Sequence, residues 1–231
     1  MRSGLVAVVA VVAVRAFPSP ATARAAGRHP CLDRLDALGV PFKKAKPLRG
    51  IEVPVEVTGP LGGVTYRGSA KQPLVLDCSL VYSLALAGRY LVDAGLSEAL
   101  YSSAYQRRNV RGTHRPSHHS YGLAIDVHQW KGQDGTVSVA DDYEQGLGDE
   151  MDCVGQPLTE GGGRLRLILC RMERSGLFRL ILSPDYDQDH WNHFHVEALP
   201  WGERDDLTRD AATERRRRPA MTPRETATGT R

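Results

Sequence analysis

An aspartate set in the apolar run Leu123-Ala124-Ile125-Asp126-Val127 and two histidines interleaved with apolar residues in His193-Phe194-His195-Val196 limit most tightly how this chain folds. A carboxylate inside an apolar strand is costly to bury unless it is paired or bound to a metal. Side chains two apart in a strand share a face. Leu123, Ile125 and Val127 then face a core, and Ala124 and Asp126 face the other way. By the same alternation Phe194 and Val196 enter the core, while His193 and His195 point into one cleft. The two segments, far apart in the chain, are expected to meet.

Two more histidines extend the pattern. His119 lies upstream of Asp126 in Ser117-His118-His119-Ser120-Tyr121-Gly122, and His190 opens His190-Trp191-Asn192-His193-Phe194-His195. A borderline cation such as Zn²⁺ takes nitrogen and oxygen ligands in a tetrahedron, and a catalytic site keeps one position for water. His119, Asp126 and His195 are the expected ligands, and His193 and His190 are left to handle protons. Gly122 and Ala124 leave room beside the carboxylate, and Ser117 is placed to orient the His119 loop. Taken alone, Asp126 reads as a structural aspartate capped by amides and each histidine as a surface residue. The three close-set histidines, with apolar residues between them, weigh against that. His118 is expected to point away from the cluster and His128 to share the face of Asp126. Tyr143 and the acids of 141–150 either line a cleft or belong to a solvated loop.

The chain opens Met1-Arg2-Ser3-Gly4, runs apolar over 5–14, and continues to small residues ending in Ala23-Arg24-Ala25-Ala26. This order predicts a secretory signal over 1–26, cleaved after Ala23, Ala25 or Ala26, and a periplasmic or secreted protein. The run is about half the length that spans a bilayer, so no stable membrane span is expected. Arg2, Arg15 and Arg24 account for the whole formal net charge of +3. The tail, 203–231, holds more basic than acidic residues, which leaves 27–202 mildly acidic. A nucleic-acid binder carries a basic face of its own, so that class loses its support. The Pro- and Thr-containing tail with its arginine run at 215–218 reads as solvated and disordered. Cys31, Cys78, Cys153 and Cys170 are an even set in an exported chain, which reads as two disulfides. Of three connectivities, Cys31–Cys78 with Cys153–Cys170 is favoured. No Cys-x-x-Cys pair supports zinc–thiolate binding.

The remaining 27–202 are expected to form one α+β domain, a monomer: a small antiparallel sheet carrying the zinc site, flanked by helices and stapled by disulfides. Helices are predicted over 30–39, from an Asp77 cap to about Ala94, and over 164–175. Strands are predicted at 51–57, 64–66, 99–105, 122–127, 136–139, 177–182 and 193–197. Pro54 marks the first of these as an edge strand, with 64–66 returning beside it. The Gly-rich stretch 141–163 reads as an insertion.

Ser117-x-His119-x-x-Gly122-x-Ala124-x-Asp126 with His193-x-His195 resembles the motif pair of the lysostaphin/D-Ala-D-Ala-carboxypeptidase metallopeptidase superfamily. The spacing His190-x-x-His193-x-His195 is similar to that of its penicillin-insensitive murein endopeptidases. Cys31-x-x-x-Leu35-x-x-x-Gly39-Val40-x-Phe42, Leu76-x-Cys78 and Asp187-x-x-His190-x-x-His193-Phe194-His195-x-Glu197 resemble the bacterial extensin-like C-terminal domain family over about 31–199. The resemblance implies zinc on His119, Asp126 and His195, a general-base or transition-state role for His193 assisted by His190, and hydrolysis of peptide cross-links or stem peptides of peptidoglycan. Carboxypeptidase relatives carry a Glu where Asn192 stands, which favours the endopeptidase type. A substrate-binding Arg following Ser-x-Tyr is matched by Arg108 after Ser103-Ala104-Tyr105. The alternative is a non-catalytic binding module of the cell envelope derived from such a peptidase.

Overall fold

A computed structural model describes residues 28–68, 72–146 and 156–204. The expected signal segment, the tail beyond Arg204 and the Cys153 end of the expected Cys153–Cys170 bridge lie outside them.

Helix α1, Pro30–Ala37, begins where His29 accepts a hydrogen bond from the Cys31 amide, and it carries Pro in its first turn. Proline suits that position because its missing N–H would have no helical partner. Gly39, at φ 65°, ends it. Leu32 and Leu35 are buried, and a Cys31–Cys78 disulfide fastens α1 to the first residue of α2, Cys78–Val92. The cap of α2 is Asp77, as expected. One oxygen of its carboxylate accepts from the Ser79 amide at 2.8 Å and the other from the Val53 amide at 3.0 Å. Leu80, Leu84 and Leu91 form the buried face. At Gly88 the helix touches another segment through backbone, for a Cβ there would lie 2.5 Å from the Leu61 carbonyl oxygen.

Two sheets follow. In the smaller, β1 (Phe42–Lys44), β2 (Pro54–Val57) and β4 (Leu74–Asp77) run antiparallel in the order β1-β2-β4. Pro54 therefore does not mark an edge. It opens the central strand at the end of its ladder, where a missing N–H is tolerated. The larger sheet has six strands: β3 (Thr65–Gly68), β5 (Leu96–Ser103), β6 (Ala124–Gly132), β9 (Phe194–Glu197) and β8 (Leu180–Leu182) in that order, with β7 (Gly135–Ser138) also on β6. Strand β3 does not return beside β2. It pairs in parallel with β5, its route passing through β4 and α2, so the all-antiparallel expectation gives way to a mixed sheet. The ionisable cluster stands on this larger sheet and not on the small antiparallel one.

The stretch 141–163 is partly helical. Short α3, Val139–Asp142, opens it, and α4, Glu160–Arg174, starts a turn earlier than expected because Thr159 caps it through the Gly162 amide at 3.0 Å. Helices α2 and α4 pack with the large sheet into one core that holds Leu84, Leu91, Leu165, Ile168, Ile125, Val127, Phe194 and Val196. Among the described residues no helix is long and apolar enough to cross a membrane.

Candidate metal centre

Strands β6 and β9 pair antiparallel with Asp126 opposite His195, Val127 opposite Phe194 and Ile125 opposite Val196. The alternation read from the sequence holds on both strands. Ile125 and Phe194 are fully buried in the core, and Asp126 and His195 meet side by side on the other face. The third member comes from a 3₁₀ turn, His118–Tyr121, begun by Ser117, whose Oγ accepts from the His119 amide. Gly122 closes that turn at φ 65°. A Cβ there would come within 2.8 Å of the Asp77 amide nitrogen, which donates to the Gly122 carbonyl. The turn is thus pinned where β4 enters α2, and His119 is driven inward to full burial.

Asp126 Oδ1 lies 3.1 Å from His119 Nε2 and 2.7 Å from His195 Nδ1, and the two nitrogens are 3.2 Å apart. The outer ring nitrogens fix the tautomers. His119 Nδ1 sits 2.6 Å from the Ala104 carbonyl oxygen, which only accepts, so Nδ1 carries the proton. His195 Nε2 sits 3.0 Å from Glu197 Oε1, which by the same logic receives its N–H. With both rings neutral, two bare nitrogens and a carboxylate oxygen converge with no hydrogen between them. Three acceptors at one point need a cation. A tetrahedral zinc ion with bonds of about 2.0–2.1 Å has ligand–ligand edges of about 3.3 Å, close to the observed triangle. Carbonyl and carboxylate partners on the far ring nitrogens are also what orients metal-binding imidazoles. The residues present fit a zinc ion.

Without a metal, a proton takes the cation's place. Burial alone would lower His195, but its bonds to Asp126 and Glu197 outweigh burial and raise it to about 9. Burial would likewise raise Asp126 and Glu197. Histidine hydrogen bonds, from His119 and His195 to the first and from His118 and His195 to the second, hold both carboxyls far below their ordinary range instead.

His193 stands at the rim, its Nε2 3.7 Å from Asp126 Oδ1. Its Nδ1 lies 3.0 Å from the Asn192 amide oxygen, an acceptor, so Nε2 is the bare nitrogen and faces the cluster. Burial, reinforced by neighbouring histidines and opposed by Asp126, lowers its pKa to about 4. His190 is brought to the same rim, its ring 5.1 Å from that of His193 and 5.8 Å from that of His195. Asp187 accepts from its Nδ1 at 2.6 Å and from the backbone amides of Asp189 and His190. His128 lies on the same side, 5.2 Å from His193 ring to ring, and bonds Ser102 Oγ. Arg108 also arrives: its Nη2 donates to Asp126 Oδ2 at 3.2 Å. Its backbone is clamped by Ser120 Oγ, which accepts from the Arg108 amide and donates to its carbonyl.

Glu197 is the residue to which the sequence assigned no role. It holds His195, lies 3.1 Å from His118 Nδ1 and accepts from Arg179 Nη1 at 2.5 Å. Its place two residues after His195, on the same strand face, was the available signal. His118 does not join the ligand trio; its Nδ1 meets the same Glu197 oxygen that holds His195. Tyr143 does not line the cleft; its ring packs edge-on against core Phe194.

Among the described residues, His119, Asp126 and His195 form a buried group whose ligand atoms lie close enough together to hold a metal ion. A family model described as Extensin-like protein C-terminus matches residues 30–205. No curated protein and no solved structure matches the chain.

Proposed function

The chain belongs to the extensin-like protein C-terminal family, and we propose that it is an exported zinc-dependent hydrolase that cleaves peptide cross-links or stem peptides of peptidoglycan. The observation that carries this reading is the convergence of His119 Nε2, His195 Nδ1 and Asp126 Oδ1 beside the bare Nε2 of His193. A structural zinc site is closed by four protein ligands, whereas a catalytic one has three and an open position. Here a proton acceptor, not a fourth ligand, stands at the rim.

A zinc ion held by the trio supplies Lewis acidity toward water and a peptide carbonyl. The chain's own residues do the rest. His193 Nε2 takes a proton from the attacking water, and the Asn192 amide oxygen keeps the ring in that tautomer. Its lowered pKa keeps His193 unprotonated at neutral pH. The protonated ring then delivers the proton to the leaving amine. His190, its Nδ1–H held by Asp187, sets a second ring at the same rim. Arg108 presents its guanidinium to an anionic group of the bound peptide. Asn192 cannot serve as a carboxylate base, which favours cleavage within a peptide over removal of a terminal D-Ala.

Digestion of purified muropeptides by the mature chain tests this. Dimers should fall to monomers, and His193→Ala should lose on the order of 10²–10⁴ in rate while keeping its metal. Release of free D-Ala alone would reject the endopeptidase assignment. Full zinc occupancy with no cleavage of any muropeptide would favour an envelope binding module.

A further inference from the structure

We propose that Tyr186 and Trp191 form a saccharide platform at the rim of the candidate metal centre and stack on the glycan that carries the stem peptide. The proposal rests on the hydrolase reading and extends it to the sugar end of the substrate. Among the described residues these are the two most exposed aromatic side chains, Tyr186 at 64% and Trp191 at 51%. Large rings left in water close to one another mark a binding surface, where single exposed apolar residues do not. Both stand on the segment that delivers His190 and His193 to the cluster. The Tyr186 ring packs edge-on against that of His190 at 5.5 Å, and the His190 ring is 5.8 Å from that of His195. Trp191 follows His190 directly and ends the 3₁₀ turn Gln188–His190.

The chemistry of the segment selects a neutral sugar. Both of its acids are already paired, Asp187 with His190 Nδ1 at 2.6 Å and Asp189 with Arg111 Nη1 at 2.6 Å. An anionic ligand would find no unmatched cation among these pairs. An acyl chain or an apolar helix would have to strip water from the exposed Arg111–Asp189 pair beside it, which is costly. What remains are two ring faces, each with a polar edge, a hydroxyl on Tyr186 and an indole N–H on Trp191. A pyranose is the complement: its C–H groups make an apolar face, and its hydroxyls and N-acetyl amide surround the edge. The spacing also fits. A stem peptide is short and joined at one end to an amino sugar, and each extended residue spans at most about 3.6 Å. A bond cleaved at the metal therefore lies a few residues from a sugar, and two successive ring contacts carry Tyr186 a comparable distance from His195.

The full mature chain and its Tyr186→Ala/Trp191→Ala variant should be titrated by calorimetry with the tetrasaccharide of N-acetylglucosamine, a glycan that carries no peptide. The native chain should bind it, and the double variant should bind it at least about tenfold more weakly. Trp191→Phe keeps a ring face and should retain more of the binding than Trp191→Ala. Tryptophan emission should change on adding the sugar to the native chain and stay unchanged in Trp191→Ala, whose remaining Trp130 is buried in the core. Because the probe has no peptide bond between residues to cleave, its binding is read apart from hydrolysis. Sugar binding without cleavage of any muropeptide would uphold the platform and reject the hydrolase reading alone. No binding by the native chain, or equal binding by the native and double-variant chains, would overturn the platform even where muropeptides are cleaved.

Discussion

His119 and His195 each commit one ring nitrogen to the protein and turn the other toward Asp126. That division of labour makes the outer partners testable. Glu197→Gln keeps the shape of the His195 partner but removes the charge that makes the ring a better ligand. Zinc affinity should fall by about 10–100-fold, measured by competition with a chromophoric chelator. Unchanged affinity would make Glu197 a packing residue only. The same contacts set a pH dependence in the metal-stripped chain. His195 is raised to about 9 when folded, against about 6.5 unfolded. Its contribution to stability is full below 6.5 and is lost as pH rises through 9. Asp126 and Glu197 are depressed, so their contribution is present above the ordinary carboxylate range and is lost in acid. The Tm of stripped protein should decline from pH 6.5 to 9, while that of zinc-loaded protein, with the ion in the proton's place, should not. A flat profile for the stripped chain would contradict the His195 contacts.

At the scale of elements, Asp77 joins three pieces. It caps α2, holds the Val53 amide ahead of β2, and offers its own amide to the Gly122 carbonyl beside the His119 turn. Asp77→Ala loses the cap and leaves the Val53 N–H without its acceptor. It should cost about 2 kcal/mol in urea unfolding, and Asp77→Asn less. A cost below about 0.5 kcal/mol would show that neither bond matters. This cap was legible in the sequence because capping is local. So was the placing of Asp126, His193 and His195, because period two assigns faces without reference to a partner strand. The parallel pairing of β3 with β5 was not, since it depends on a crossover through β4 and α2. Period two placed Glu197 on the face of His195, but its further partners His118 and Arg179 come from other elements and were not legible. Strand β4 was missed because its Leu74-Val75-Leu76 run is short and merges into the helix that follows.

In the whole molecule, the candidate metal centre is assembled from two strands of the large sheet and a turn fixed to the small sheet, so its geometry depends on the two sheets staying docked. The Cys31–Cys78 bridge helps by tying α1 to the start of α2 across a sequence separation of 47. Replacing both cysteines by serine should lower unfolding free energy by about 2–4 kcal/mol, and the folded variant should still bind zinc. Loss of zinc from a variant that remains folded would show that the bridge shapes the centre directly. The central claim is that His119, Asp126 and His195 form one metal site and that His193 stands outside it. Metal analysis of the purified chain and its single variants tests this most directly. About one zinc ion per chain is predicted for the native protein and for His193→Ala, and none for His119→Ala, Asp126→Ala or His195→Ala. Full zinc in the three ligand variants, or its loss from His193→Ala with retention in His195→Ala, would contradict the assignment.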